Sequence, residues 1–186
     1  DISIGALRAA VAENAAEHIV FLRGSMERLP FCDGQFGVVW ACGSIEHTAD
    51  PWAALAELDR VLAPGGVMLA ALYRRTLLSP LHGAVRAAMS SLPARTHAPL
   101  SRAVAFLIAP FIRFFKRREK MRGGESLEGI VHDWFFVPLR RHFDPAEVRA
   151  WFSQRGYVEE LFVPATGRFD SSSHFIVRMR KKAPPE

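Results

Sequence analysis

The sequence predicts an α/β fold organised around a strand–helix–strand unit between Phe31 and Tyr73. Three observations predict it. Phe36-Gly37-Val38-Val39-Trp40-Ala41-Cys42 is a short apolar run rich in β-branched and aromatic residues, the pattern of a strand buried on both faces. After the loop Gly43 to Ala49, Asp50-Pro51 reads as a helix N-cap followed by proline at N1, and Trp52, Leu55, Leu58 and Leu62 recur at helical spacing. Pro64-Gly65-Gly66 then stops the helix, and Val67 to Tyr73 is a second apolar run. Two strands joined by one helix are expected to be parallel, and the loop at the carboxyl end of the first, Gly43 to Asp50, is where open α/β sheets bind ligands.

The other elements follow in order. Asp1-Ile2-Ser3 reads as a strand end running into a helix that Ser3 caps, with Ile4, Leu7, Val11 and Ala15 as its buried stripe. His18 to Arg23 is expected to form a short strand. Arg74 to Arg122 has no strand pattern: it offers a helix near Leu81 to Leu92, a break from Pro93 to Pro99, and an apolar run from Leu100 to Phe115 that Pro110 interrupts. Asp144-Pro145-Ala146-Glu147 resembles a capping box. It opens a helix with Val148, Trp151 and Phe152 inward and Gly156 just past its end. Tyr157 to Pro164 and His174 to Met179 read as two final strands joined by a Gly/Asp/Ser-rich loop, and Arg180 onward as a solvated tail. There are no internal repeats and no metal-ligand constellation.

Composition narrows the class. With 186 residues, 49% hydrophobic and 23% charged, the chain suits one globular domain with a sizeable core. Cys32 and Cys42 lack metal-ligand spacing and are too few for a disulfide framework, so a reducing, cytoplasmic setting is the default. Charge is uneven: residues 1–75 carry a net −3 and residues 76–186 a net +8. The basic half suits a solvated face, an anionic ligand or a membrane surface. Basic residues are not interleaved with aromatics at the spacing of a nucleic-acid platform, so no nucleic-acid partner is expected. The run from Leu100 to Arg122 is too short and interrupted to span a membrane. Three readings stay open for it: a helical lid over a substrate pocket, a lid that also makes peripheral membrane contact through its basic end, or neither.

Four segments in register carry a resemblance: Glu27-Arg28-Leu29-Pro30-Phe31, Asp33-Gly34-Gln35-Phe36, Glu46-His47, and Arg60-Val61-Leu62-Ala63-Pro64-Gly65-Gly66. Together they resemble the class I S-adenosylmethionine-dependent methyltransferases, in the small-molecule branch that includes the ubiquinone and menaquinone methyltransferases. The resemblance covers residues 1 to about 73, and the tail from His132 to Arg180 is similar to the family's last helix and closing hairpin. It implies a three-layer, Rossmann-like α/β sheet lacking the first strand and most of the second, with a helical insertion after the fifth strand and a C-terminal antiparallel hairpin. The family's glycine-rich loop is expected upstream of Asp1, so the chain is expected to be the C-terminal part of a methyltransferase domain. Its cofactor-side βα units would be 1–73, its helical lid 74–135, and its last helix and hairpin 136–182.

The resemblance also implies a cofactor, S-adenosylmethionine, and its contacts. Asp1 would bind the two ribose hydroxyls, a role for which a carboxylate's two acceptor oxygens are suited, and Ile2 would lie against adenine. Ser25 stands where the family usually has Asp, as an uncharged acceptor for the adenine amino group, and Met26 would donate its amide to the ring. Gly37 stands where the family usually has Asp after Phe36. Cys42 and Gly43 would sit beside the methionine part, with the Cys42 side chain an inert buried thiol. His47 is a candidate general base on the acceptor side, with a loop histidine that hydrogen-bonds backbone as the equal alternative. His132-Asp133-Trp134-Phe135 resembles a segment bordering the acceptor site. Since neighbours in sequence point apart, His132 and Asp133 each need a partner of their own and are expected to be structural. The implied function is methyl transfer to a small, apolar or amphipathic acceptor. The alternative is a non-catalytic binding or membrane-associated domain that has lost the cofactor.

Overall fold

The computed structural model describes residues 3–14, 16–115, 127–164 and 174–183. Asp1, Ile2, Ala15, the basic run 116–122, the loop 165–173 and the end of the tail lie outside them. The chain forms two compact units. One comprises Asp1–Arg74, Arg141–Gly167 and Ser173–Glu186; the other comprises Arg75–Arg140 and Arg168–Ser172.

The first unit holds a four-stranded mixed sheet in the order β1-β2-β4-β3, formed by β1 (Phe36–Cys42), β2 (Leu62–Tyr73), β3 (Tyr157–Val163) and β4 (His174–Lys181). Strands β1 and β2 are parallel, and β4 runs antiparallel to both β2 and β3, so the last two strands form the expected closing hairpin. The α/β class and Rossmann-like arrangement expected from the sequence are therefore present.

Helix α2 (Pro51–Val61) crosses between the parallel strands, and its N-cap is as expected. The Asp50 carboxylate accepts from the amides of Trp52 and Ala53 at 3.0 and 3.1 Å, with Pro51 following. Helix α6 (Pro145–Gln154) starts the same way, Asp144 accepting from the Ala146 amide at 2.8 Å, and ends before Gly156, whose φ of 75° suits glycine. Period-2 alternation places Val39 and Ala41, then Met68, Ala70 and Leu72, then Phe175, Val177 and Met179 on one face of the sheet. There they form one core cluster with Leu55, Leu58 and Val61 of α2 and Val148 and Phe152 of α6.

Four expectations need correction in this unit. The first strand is not buried on both faces: Val38 and Trp40 are 63% and 71% exposed, because β1 is an edge strand whose helices cover only the Val39–Ala41 face. Helix α1 (Ile4–Asn14) has the Ser3 cap, the Ala6 amide donating to Ser3 Oγ at 3.2 Å, but its stripe is not buried. Its apolar face is weak for a physical reason: alanines at 6, 9, 10 and 12 surround Ile4, Leu7 and Val11 and blur the stripe. No strand forms at 18–23. A strand needs a ladder partner, and none of the described strands pairs with this segment, whose Val20 is exposed. Finally, Pro64-Gly65-Gly66 is not a spacer between helix and strand. Strand β2 begins at Leu62, directly after α2, and the turn sits inside a register shift between Phe36 and Val38.

That shift explains Gly66. A Cβ on Gly66 would lie 2.8 Å from the Ala63 carbonyl oxygen and 3.0 Å from that of Gly37, so only glycine lets the two backbones approach there. Gly37 itself has open space around it.

The second unit is helical among its described residues: α3 (Ser79–Ser90), α4 (Ala94–Phe115) and α5 (Leu127–Phe135). The proline break expected from Pro93 to Pro99 is shorter than predicted. Helix α4 begins at Ala94 and contains both Pro99 and Pro110. Proline at 99 forfeits one ladder bond, to the Arg95 carbonyl, close to the helix start. That start is held otherwise, Thr96 Oγ1 donating to Pro93 O at 2.7 Å and the Thr96 amide to the same oxygen at 2.8 Å. Ser101 and Ala105, one turn apart, are buried, whereas Phe106 and Leu107 are 80% and 73% exposed. Arg86 of α3 is buried and donates to the carbonyls of Asp133 and Val137, while Arg140 pairs with the Asp133 carboxylate at 3.1 Å. The ring of His132 stacks on Phe136 instead. His132 and Asp133 thus have separate partners. No helix among the described residues is long and apolar enough to cross a membrane.

Candidate functional site at the carboxyl ends of the parallel strands

The motif residues between Glu27 and Arg60 form one clamp. The Arg60 guanidinium donates to both Glu57 carboxylate oxygens, to Asp33 Oδ1 at 2.6 Å, and to the carbonyls of Phe31 and Leu29 at 2.8 and 3.1 Å. Glu57 in turn accepts the Leu29 amide at 2.9 Å. The Arg60 hydrogen bond, followed by the Leu29 amide, draws the Glu57 carboxyl down to about 2. Tethered by this clamp, the turn at Ser25–Arg28 reaches the start of α2, where Glu27 Oε1 accepts the Asp50 amide at 2.9 Å. One sequence-predicted pair, Ser25 and Met26, is thereby joined to the loop Gly43–Asp50 that carries the others. Ser25 Oγ accepts the Glu27 amide at 3.2 Å and keeps its proton to donate, and Met26 packs its side chain against the core cluster.

The loop itself is compact. Gly43 continues the ladder, its amide donating to Ala71 O at 3.3 Å, and its φ of 74° lies in the region glycine favours. A Cβ there would meet no atom within 4 Å, so the strand mouth is open above it. Cys42 is half-buried beside it; burial pushes its thiol up, and the nearby Glu46 carboxylate pushes the same way against a backbone hydrogen bond from Ala71. Ile45–His47 form one 3-10 turn anchored by the fully buried Ile45, and Thr48 Oγ1 donates to Ile45 O at 2.7 Å. His47 lies at the end of that turn, its amide on Ser44 O and its ring edge-on to Tyr73 at 6.3 Å. Asp1 and Ile2 lie outside the described residues.

Residues outside the candidates named from the sequence lie at the same end of the sheet. Glu46 was legible only as part of the Glu46-His47 motif, yet it is fully buried and its carbonyl accepts the Arg141 amide at 2.8 Å. Tyr73 ends β2 and is paired in register with His174, the first residue of β4, with their rings 3.9 Å apart. His142 approaches the same Tyr73 ring at 6.0 Å. Chain reversal through the hairpin brings His174 to this end, and no local pattern around it signals that. Among the described residues no cluster of His, Cys, Asp and Glu could hold a metal ion.

The residues present fit part of an S-adenosylmethionine molecule laid across the strand ends: open space over Gly43, the half-exposed Cys42, and the Ser25 hydroxyl on the turn that Glu27 ties to the same loop.

Comparison with known proteins agrees with this geometry. The profile of a methyltransferase domain family matches residues 1–70. The chain is 33% identical over 94 residues to a malonyl-[acyl-carrier protein] O-methyltransferase from Pseudescherichia vulneris, covering 50% of this chain and 37% of that protein. It is 32% identical over 80 residues to a demethylmenaquinone methyltransferase from Renibacterium salmoninarum, covering 43% and 33% respectively. The chain thus spans about a third of the length of these relatives. A crystal structure of a SAM-dependent methyltransferase from Methanosarcina mazei superposes with a TM-score of 0.58 at 15% identity, covering 99% of this chain and 81% of that one. The first 70 residues are thus similar to a methyltransferase domain family, and the fold is that of SAM-dependent methyltransferases of known structure.

Proposed function

We propose that the protein transfers a methyl group from S-adenosylmethionine to a small, apolar or amphipathic acceptor. The observation that carries this reading is the mouth of the parallel pair, where the loop Gly43–Asp50 meets the Ser25–Met26 turn through Glu27. When bound, the cofactor supplies an electrophilic methyl on a positively charged sulfur. The chain's own residues have to align the acceptor and keep water out. On this reading Cys42 and Gly43 border the methionine part, Ser25 and Met26 the adenine, and Asp1 and Ile2 the ribose and the adenine face. His47, at the end of the 3-10 turn, faces the acceptor.

Calorimetric titration of S-adenosylhomocysteine into this chain, and into a version extended upstream of Asp1, tests the reading. Binding by either form, weakened at least tenfold by Gly43→Val, supports it. Val at a φ of 74° both strains the backbone and fills the open mouth. Binding by neither form, with both folded, refutes it and favours a non-catalytic module.

A second reading, peripheral membrane contact, draws on the exposed Phe106 and Leu107 of α4 and on the basic residues that crowd the sequence just beyond them. Co-sedimentation with anionic but not neutral vesicles, lost in Phe106→Ser/Leu107→Ser, is the expected result; equal pelleting with both vesicle types, or none, removes this reading.

A further inference from the structure

A buried carboxylate with no hydrogen-bond donor lies at the carboxyl end of the parallel strands. Glu46 is 0% exposed, and neither Oε1 nor Oε2 has a hydrogen-bond partner. An isolated buried charge costs several kcal/mol, so this position calls for a cation. The group that answers is His174, whose Nε2 lies 3.5 Å from Glu46 Oε1. That distance is long for a hydrogen bond and well within reach of a charge pair. On its other side the His174 ring lies against the Tyr73 ring at 3.9 Å and 36°, a π-face that attracts a cation. The remaining titratable or charged groups packed around the pair are His47 from the 3-10 turn, Cys42 from β1, and Arg141 and His142 from the segment entering α6. Among the described residues named here, Glu46 supplies the only carboxylate. His174 keeps 35% of its side chain exposed, so the ring has access to a ligand that the carboxylate lacks.

We propose that Glu46 and His174 are the proton-accepting pair of the acceptor site, and that the acceptor is therefore a compound with an acidic hydroxyl. This rests on the methyl-transfer reading above. His174 is the catalytic base and Glu46 a positioning residue that acts through it. With Nε2–H turned to Glu46, Nδ1 carries the lone pair. The acceptor oxygen forms its new bond to the methyl carbon, and the carbon–sulfur bond breaks with its electron pair left on sulfur as a neutral thioether. The hydroxyl proton passes to His174 Nδ1 and from the exposed ring to water. The imidazolium so formed faces the Glu46 carboxylate at 3.5 Å, so the charge that arises on proton uptake lies beside an opposite one. The enzyme gains a base whose protonated form is stabilised where it arises.

Two measurements test this, one of which needs no cofactor. Imidazole NMR titration of the chain follows His174 in wild type and in Glu46→Gln. Loss of the carboxylate is expected to redistribute the neutral ring's proton between Nε2 and Nδ1, read from the ring-nitrogen shifts; unchanged shifts overturn the pairing. The second uses 4-nitrophenol, an acidic hydroxyl whose phenolate absorbs visible light, added with S-adenosylhomocysteine. Bound to wild type, it is expected to ionise at lower pH than when free, with His174 taking up the proton. His174→Asn and His174→Gln should abolish this shift, and Glu46→Gln should reduce it. A probe that ionises alike on wild type and His174→Asn, or that does not bind wild type, overturns the proposal. Stability loss in the variants with the absorbance change intact would mean a structural pair only, and would also overturn it. Should S-adenosylhomocysteine fail to bind while the NMR coupling persists, the methyl-transfer reading fails and the Glu46–His174 pairing stands.

Discussion

Replacing Arg60 with alanine tests whether the family motif is a structural clamp. The guanidinium makes five hydrogen bonds at 2.6 to 3.1 Å, and its side chain is 31% exposed. The Asp33 partner is 81% exposed, which limits that contact to under about 1 kcal/mol. The bidentate contact with Glu57 and the two main-chain carbonyls of Leu29 and Phe31 are better shielded; at about 1 kcal/mol each they bring the total to roughly 3 kcal/mol. Urea denaturation of the purified variant is the assay. With an m-value of about 2 kcal/mol/M, the midpoint should fall by roughly 1.5 M. Arg60→Lys restores a point charge but not the fork, so it should recover less than half of the loss. A midpoint for Arg60→Ala within about 0.3 M of wild type would refute the clamp. The acid side gives a second check. Glu57 has its folded value drawn below its ordinary 4.5, to about 2. Its contribution is therefore complete above pH 4.5 and is lost as pH falls toward 2. The stability gap between wild type and Arg60→Ala should narrow across that window and be constant above it.

Three further outcomes follow from the packing. Gly66→Ala should destabilise by about 2 kcal/mol or more, since two carbonyl oxygens lie within 3.0 Å of the new Cβ, whereas Gly37→Ala on the open side should stay within about 1 kcal/mol of wild type; equal effects in urea melts would contradict the register shift. Tyr157→Phe should cost about 1 kcal/mol by removing the hydroxyl that donates to Asp59 Oδ1 at 2.7 Å, while Lys181 continues to pair with Asp59 at 2.8 Å; a stability equal to wild type would show that this bond adds nothing. Iodoacetamide should modify the exposed Cys32 before the half-buried Cys42, whose thiol burial holds in the unreactive protonated form, and mass spectrometry of timed digests that found the reverse order would count against the placement of Cys42.

Much of the fold was legible because it depends on local chemistry. Asp50-Pro51 and Asp144-Pro145 start helices wherever they stand, since the cap requires only the next two or three amides. The apolar runs Val67 to Tyr73 and His174 to Met179 read as strands before any partner was known. The same reasoning failed where an element depends on a neighbour. The segment 18–23 has strand composition but no ladder partner among the described strands, and Val38 and Trp40 of β1 stay exposed.

The candidate site divides along the same line. By itself the sequence determined the loop Gly43–Asp50, the motif segments from Glu27 to Gly66 and the position of His47, because each is contiguous or carries a recurring spacing. Only the tertiary structure decided that Glu46 is buried with no hydrogen-bond donor and that His174, 128 positions away, is its partner. The reason is that register couples residues at no fixed sequence distance. Strand β4 returns antiparallel to β2, so its first residue meets the last residue of β2, and a histidine that reads as a strand start arrives beside a carboxylate at the ligand end of the sheet.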